Sequence, residues 1–217
     1  MVSDQTKITM LARIRERFPV EPWKPAAPFE TLIHTILSQN TNDRNSDAAM
    51  KKLRKRYEIT PRSLSRASLR NLIPCIRSAG LYRSKAPRIV AVSKIIQHTY
   101  NCSLKEILKL PYAKAKEELT AMPGVGPKTA DIVLAFNAKH PVIPVDTHIS
   151  RISKRLDIAP QNASYETIRA NLEALIPENN RIPLHLSLIE FGRKICKAQR
   201  PACQICPLQK TCPSSRL

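Results

Sequence analysis

The sequence predicts an all-α fold, and three observations carry that reading. Apolar residues recur at helical spacing in nearly every segment, no stretch sustains a period-two alternation, and 18 prolines punctuate the segments. The N-terminal "MVSDQTKITMLARIRERF" interleaves Asp4 and Glu16 with apolar residues, and reads as an amphipathic helix instead of a signal peptide. In "PFETLIHTILSQN" the residues Phe29, Leu32, Ile33, Ile36 and Leu37 fall on one helical stripe. "NDRNSDAAMKKLRKRY" comes next, with Asn42 or Asp43 as its N-cap. "SLRNLIPCIRSAG" ends on Gly80, placed for a left-handed C-cap. Further helices are expected in "YRSKAPRIVAVSKIIQ", "SLKEILKL", "YAKAKEELTAM", "GPKTADIVLAFNAK", "DTHISRISKRL", "YETIRANLEALI" and "LHLSLIEFGRKIC". The prolines belong at segment ends, where a missing N–H is tolerated. About ten helices with short connections result, with no internal repeat and no low-complexity segment.

With 217 residues the chain can build one domain or two small ones around a real core. Its formal net charge is +19, from 36 Lys and Arg against 17 Asp and Glu. Self-repulsion of that size disfavours the fold unless a polyanionic partner uses it. The cations are scattered along the whole length, which suits a folded nucleic-acid-binding face better than a basic tail. No apolar run approaches the roughly 20 residues of a membrane span. Without an export signal the chain is expected in the cytoplasm, associated with the nucleoid, and its six cysteines in a reducing compartment. There, metal binding is favoured over disulfides.

Only four glycines occur, and two of them, Gly124 and Gly126, stand in "AMPGVGPKTADIVLAF" at the start of a helix. Glycine reaches positive φ cheaply and leaves the main chain open to close approach. The turn amides, added to the positive end of the following helix, make a site for a phosphate. Pro127 fits the first helical position, where no donor is needed. Lys128 sits in the first turn, where the helix dipole disfavours a cation. The same placement favours the neutral amine that a Schiff-base nucleophile must be. From Lys128 the helix runs to about Ala138, a rise of roughly 15 Å. The extended "KHPVIPV" can return roughly 20 Å, enough to bring Asp146 back beside Lys128. Asp146 also stands where "THISRISKRL" needs its N-cap, and both roles place the carboxylate at one point.

The C-terminal "CKAQRPACQICPLQKTC" spaces Cys196, Cys203, Cys206 and Cys212 as C-x6-C-x2-C-x5-C. Such a cluster signals a metal, and four thiolates suit zinc or an iron–sulfur cluster equally. Lys197 and Arg200 fall within the first loop, as cations for a phosphate. Cys75 and Cys102 lie far from this group and read as buried structural thiols.

These motifs together resemble the endonuclease III family, helix-hairpin-helix DNA glycosylases that carry an iron–sulfur cluster. "MPGVGPKTA" is similar to the family's hairpin, "VDTH" to its catalytic aspartate motif, and the cysteine spacing to its cluster loop. Lys128 and Asp146 stand 18 residues apart, as the family's lysine and aspartate do. "AGLYRSKA" and "ILSQNTND" also have family counterparts, so the likeness covers nearly the whole chain. Three positions differ: Pro127 replaces a usual cation, Asn40 a glutamine and Phe191 a common histidine.

The resemblance implies a bilobed, monomeric enzyme with double-stranded DNA across the cleft between lobes, damaged bases or abasic sites being its targets. Residues 23–140 would form a six-helix barrel, and residues 1–22 with 141–217 a discontinuous domain. That second domain would hold a [4Fe–4S] cluster on Cys196, Cys203, Cys206 and Cys212. The damaged nucleotide, an oxidised pyrimidine by default, would be flipped out of the duplex. Lys128 would then attack its sugar C1′ and form the Schiff base through which the strand breaks by β-elimination, 3′ to the abasic site. Asp146 would assist the lysine or stabilise positive charge on the sugar. DNA would be held by Gly124, Val125 and Gly126 of the hairpin and by Lys197 and Arg200. Gln39 and Asn40 would fill the space that the flipped nucleotide leaves. Two other readings are a monofunctional mismatch glycosylase and a non-catalytic iron–sulfur DNA-binding module. Thymine-mismatch relatives lack the lysine, and adenine-removing ones carry a further C-terminal domain, whereas this sequence stops five residues after Cys212. The presence of both Lys128 and Asp146 speaks against the non-catalytic module.

Overall fold

Polar side chains start many of the helices, and apolar stripes decide which face each helix buries. The computed structural model describes residues 2–20 and 25–215. Among the described residues it contains twelve α-helices, three short 3₁₀ turns and no strand. The chain divides into two compact units, residues 24–139 and residues 1–23 with 140–217. The domain limits expected at residues 1, 22, 23 and 217 lie outside the described residues.

The unit of residues 24–139 holds α2 (Pro28–Ser38), α3 (Asp43–Arg56), α4 (Pro61–Ser65), α5 (Leu69–Ile76), α6 (Tyr82–Thr99), α7 (Lys105–Lys109), α8 (Tyr112–Thr120) and α9 (Pro127–Ala138). The stripe of α2 is buried as its spacing requires: Phe29, Leu32, Ile33, Ile36 and Leu37 all enter the core of this unit. Helix α2 packs on α3 and α9, while α4 lies against α6 and α8 against α9. Asn42 caps α3, its side-chain oxygen accepting from the Asn45 amide at 3.0 Å. Gly80 comes after α5 and its 3₁₀ extension with φ of 65° and ψ of 163°: φ is positive, but the extended ψ means that the expected left-handed C-cap is not formed.

The second unit holds α1 (Asp4–Arg17), α10 (Thr147–Arg155), α11 (Tyr165–Leu175) and α12 (Arg181–Lys194). Met10, Leu11 and Ile14 of α1 join a core with Ile149, Ile152, Leu188 and Phe191. The Phe191 ring lies 5.6 Å from that of Phe18, centroid to centroid.

Three further expectations need correction. Pro74 and Pro87 stand inside α5 and α6, not at their ends. The carbonyls that they leave without a helical donor belong to Arg70 and Arg83, both exposed residues, where water can take the place of the lost bond. Helix α4 was not expected; Thr60 caps it, accepting from the Ser63 amide at 3.3 Å, and Pro61 opens its first turn. Cys75 is buried, but Cys102 is only half-buried, in a turn after α6 where its φ is 61°.

Candidate functional site

The glycine pair lies between α8 and α9, and its two members answer different needs. Gly124 has φ of 81°, and a Cβ there would meet the Arg88 side chain at 2.9 Å. Conformation and space both demand glycine. Gly126 caps α9 with φ of −91° and ψ of 177°, an extended geometry open to any residue. A Cβ on it would meet nothing within 4 Å. Between them Val125 is buried in the core, and its amide is spent on the Met122 carbonyl at 3.1 Å. Pro127 takes the first helical position as expected. The amides of Gly126, Lys128 and Thr129 have no intramolecular partner among the described residues, leaving an open helix start. Lys128 is half-buried there, and its ammonium makes no hydrogen bond or ion pair among the described residues.

The end of α2 is fastened to this turn. Gln39 donates its side-chain amide to the Gly124 carbonyl at 2.9 Å and to the Thr129 hydroxyl at 3.2 Å. Its neighbour Asn40 is exposed, with φ of 52°. Two residues nearby escaped sequence reasoning. Lys85 is 1% exposed and donates to the carbonyls of Leu37, Gln39 and Ala79. Leu81 is 58% exposed and left-handed, with φ of 47°. A bulky residue in that region is strained, and strain of this kind gathers at ligand-facing positions. The string "AGLYRSKA" holds both residues, but neither burial nor φ can be read from it.

In the other unit Asp146 caps α10. Its Oδ1 accepts from the Ile149 amide at 2.8 Å, while the carboxylate remains partly exposed. Two arginines one helical turn apart connect α10 to the cysteine loop. Arg151 donates to the carbonyls of Gly192 and Cys196 at 3.1 and 3.0 Å. Arg155 donates to the Cys196 sulfur at 3.2 Å and to the carbonyls of Lys197 and Ala198. Gly192 is close to α10 too, since a Cβ there would meet the His148 side chain at 2.8 Å.

Cys196, Cys203, Cys206 and Cys212 line one cavity, with Leu156, Phe191, Ile195 and Leu208 as its apolar wall. None of the four is in a disulfide. Burial pushes the thiols of Cys206 and Cys212 up, and the neighbouring cysteine sulfurs add to this. Among the described residues no three His, Cys, Asp or Glu side chains converge to hold a single metal ion. The sulfurs instead surround a space. Lys197 and Arg200 are exposed on the same loop, Arg200 with φ of 48°.

An all-helical chain with a glycine hairpin opening on a lysine, a capping aspartate and a four-cysteine loop defines a class, the helix-hairpin-helix base excision glycosylases. Residues 33–178 match the family described as HhH-GPD superfamily base excision DNA repair protein. Endonuclease III of Thermotoga maritima is 43% identical over 206 residues, covering 94% of this chain and 92% of its own. Endonuclease III of Escherichia coli K12 is 31% identical over 210 residues, covering 95% and 94%. A solved structure of a trapped endonuclease III–DNA covalent intermediate superposes with a TM-score of 0.88 at 33% identity, covering 99% of this chain and 97% of that one. The chain belongs to the endonuclease III family of the HhH-GPD superfamily. It is an enzyme, a DNA glycosylase and abasic-site lyase of base excision repair.

Proposed function

We propose that this chain removes oxidised pyrimidines from duplex DNA through a Schiff base on Lys128. The observation that carries the reading is the start of α9. There, a lysine without a partner among the described residues stands beside open amides and a glycine that the fold itself does not require. Gly126 has room for a side chain and no need of positive φ, so close approach of a DNA backbone is what glycine there serves. A phosphate placed on the open amides of Gly126, Lys128 and Thr129 also meets the positive end of α9. Gly124 shapes that turn, and Val125 anchors it to the core.

The Lys128 amine attacks C1′ of the flipped nucleotide, and the base departs with the bonding electrons. Opening of the sugar ring gives the Schiff base, loss of a C2′ proton expels the 3′ phosphate, and water then releases the lysine. Asp146 stabilises positive charge on the sugar, with one oxygen held by the Ile149 amide and the other available. Asn40 is the gap-filling residue, because it is exposed whereas the amide of Gln39 is committed to Gly124 and Thr129. Leu81, an exposed apolar side chain on strained backbone, is suited to wedge between base steps.

Residues 24–139 act as the barrel domain, built on the six helices α2, α3, α5, α6, α8 and α9. The second unit carries a [4Fe–4S] cluster on Cys196, Cys203, Cys206 and Cys212. Four cysteines outside any disulfide that line one apolar-walled cavity fit a group that takes four thiolates and brings its own iron and sulfide. The cluster's contribution when bound is to cross-link the loop, and Arg155 would donate to its Cys196 thiolate. Lys197 and Arg200 on that loop face phosphate, and the enzyme works as a monomer. Among the described residues no helix is long and apolar enough to cross a membrane.

A cleavage assay over duplexes with single defined lesions tests this reading. Strand breaks at oxidised pyrimidines and abasic sites support it. Base release at mismatches without strand scission would contradict it and favour the monofunctional alternative.

A further inference from the structure

Lys85 is among the largest fully buried side chains of the described residues, 1% exposed, and the proposed chemistry makes no use of it. An ammonium has three protons to give, and all three are placed here. They go to the carbonyls of Leu37 at 2.7 Å, Gln39 at 2.6 Å and Ala79 at 2.8 Å. Burial lowers the lysine's pKa, and the three carbonyls are what hold its charge in the interior. Helix α2 has no basic residue in its own last turn, so this ammonium also supplies the cation that its C-terminal carbonyls favour.

The residues next in the chain after two of these acceptors give the arrangement its meaning. Asn40, at φ of 52°, is the immediate successor of Gln39. Gly80, at 65°, and Leu81, at 47°, come immediately after Ala79. Two strained loops therefore leave from a single charged knot. Strained conformations of this kind persist only where the surroundings over-determine them. Both loop tips are exposed, one polar and one apolar.

We propose that Lys85 is a positioning residue for DNA distortion: it locks the Asn40 and Leu81 loops together, so that both enter a duplex as one unit. The proposal rests on the reading of these two residues as DNA-facing. A leucine wedge holds base steps apart only while something occupies the vacated stack, and entry as a unit couples the two events. A fold-only role would need neither the exposed tips nor a charge that is costly to bury.

Lys85→Met tests this, because it keeps an unbranched apolar stem one atom shorter and removes all three bonds. Full-length protein is added at saturation to a duplex carrying 2-aminopurine beside a damaged pyrimidine, and the fluorescence rise on unstacking is read. Circular dichroism and a cooperative melt establish folding. The folded variant is expected to lose most of the fluorescence rise and about ten-fold or more in single-turnover excision. A double cycle with Leu81→Ala should be non-additive, since both changes disable one device. A merely structural lysine would reduce every readout in parallel with the folded fraction, and saturating protein would restore the rise. Should Lys85→Met fail to fold, hydrogen exchange of the wild type on the same duplex decides. Peptides covering residues 38–41 and 79–82 must gain protection together, and protection of one without the other overturns the proposal. Absence of unstacking by the wild type would refute the DNA-facing reading itself. Full unstacking by a folded Lys85→Met protein would refute only the role of Lys85.

Discussion

The side-chain amide of Gln39 donates to the carbonyl oxygen of Gly124 at 2.9 Å, joining two residues 85 positions apart. This bond fixes the end of α2 to the turn before α9, and so sets Asn40 relative to Lys128 within one unit. Gln39→Ala removes it and leaves a carbonyl without its donor. Stability should fall by about 1 kcal/mol, read from denaturant midpoints. Excision should fall further than binding to undamaged duplex does. Equal losses in both would mean that Gln39 supports the fold alone.

The two hairpin glycines should separate. Gly124→Val forces a side chain onto positive φ and into Arg88, so a loss of roughly 1–2 kcal/mol in folding stability is expected along with weaker binding. At Gly126 an added Cβ meets no protein atom within 4 Å, so the melting temperature of Gly126→Val should stay near that of the wild type while affinity for every duplex falls alike. The wild type should also bind less tightly as salt rises. Unchanged affinity in Gly126→Val would assign the turn to structure only.

Much of the fold was legible because local chemistry decides it. The stripe of α2, the Asn42 cap, Pro127 at the first helical position and Asp146 as N-cap arise from neighbouring residues alone. The missed helix α4 carried a readable signal as well, a Thr-Pro start with Thr60 as cap. Lys85 was not legible. A lysine reads as a surface residue, and two of the three carbonyls that bury it lie more than 45 positions away. Leu81 was equally hidden, because periodicity assigns a leucine to the core and only the chain path left it exposed. The internal prolines escaped for a related reason. Whether water can replace a lost helical bond depends on exposure, which sequence spacing does not carry.

The cysteine loop leads to an analytical expectation. The purified protein should be brown and contain about four iron and four sulfide per chain. Cys196→Ser or Cys212→Ser should weaken DNA binding more than it slows single-turnover chemistry at saturating protein. Arg155, bonded to the Cys196 sulfur and to two carbonyls of the loop, should give the same pattern when changed to Met. Zinc without sulfide would contradict the cluster assignment.

Asp146→Asn isolates charge from capping. The asparagine oxygen can still accept from the Ile149 amide, and Asn caps about as well as Asp, so stability should hold within about 0.5 kcal/mol. Base excision should drop on the order of 100-fold or more, since the charge facing the sugar is gone. A stable variant with full excision would leave Asp146 as a cap and nothing else.

The central claim is that Lys128 forms the covalent bond to DNA, and borohydride trapping measures it most directly. Wild-type protein mixed with an abasic-site duplex and borohydride should yield a protein–DNA adduct that survives denaturing electrophoresis. Lys128→Gln keeps a similar length and removes the amine, while the open amides of Gly126, Lys128 and Thr129 come from the backbone and survive the change. The adduct and strand cleavage should both vanish while duplex binding persists. Undiminished trapping by Lys128→Gln would place the Schiff base on another amine and contradict the account.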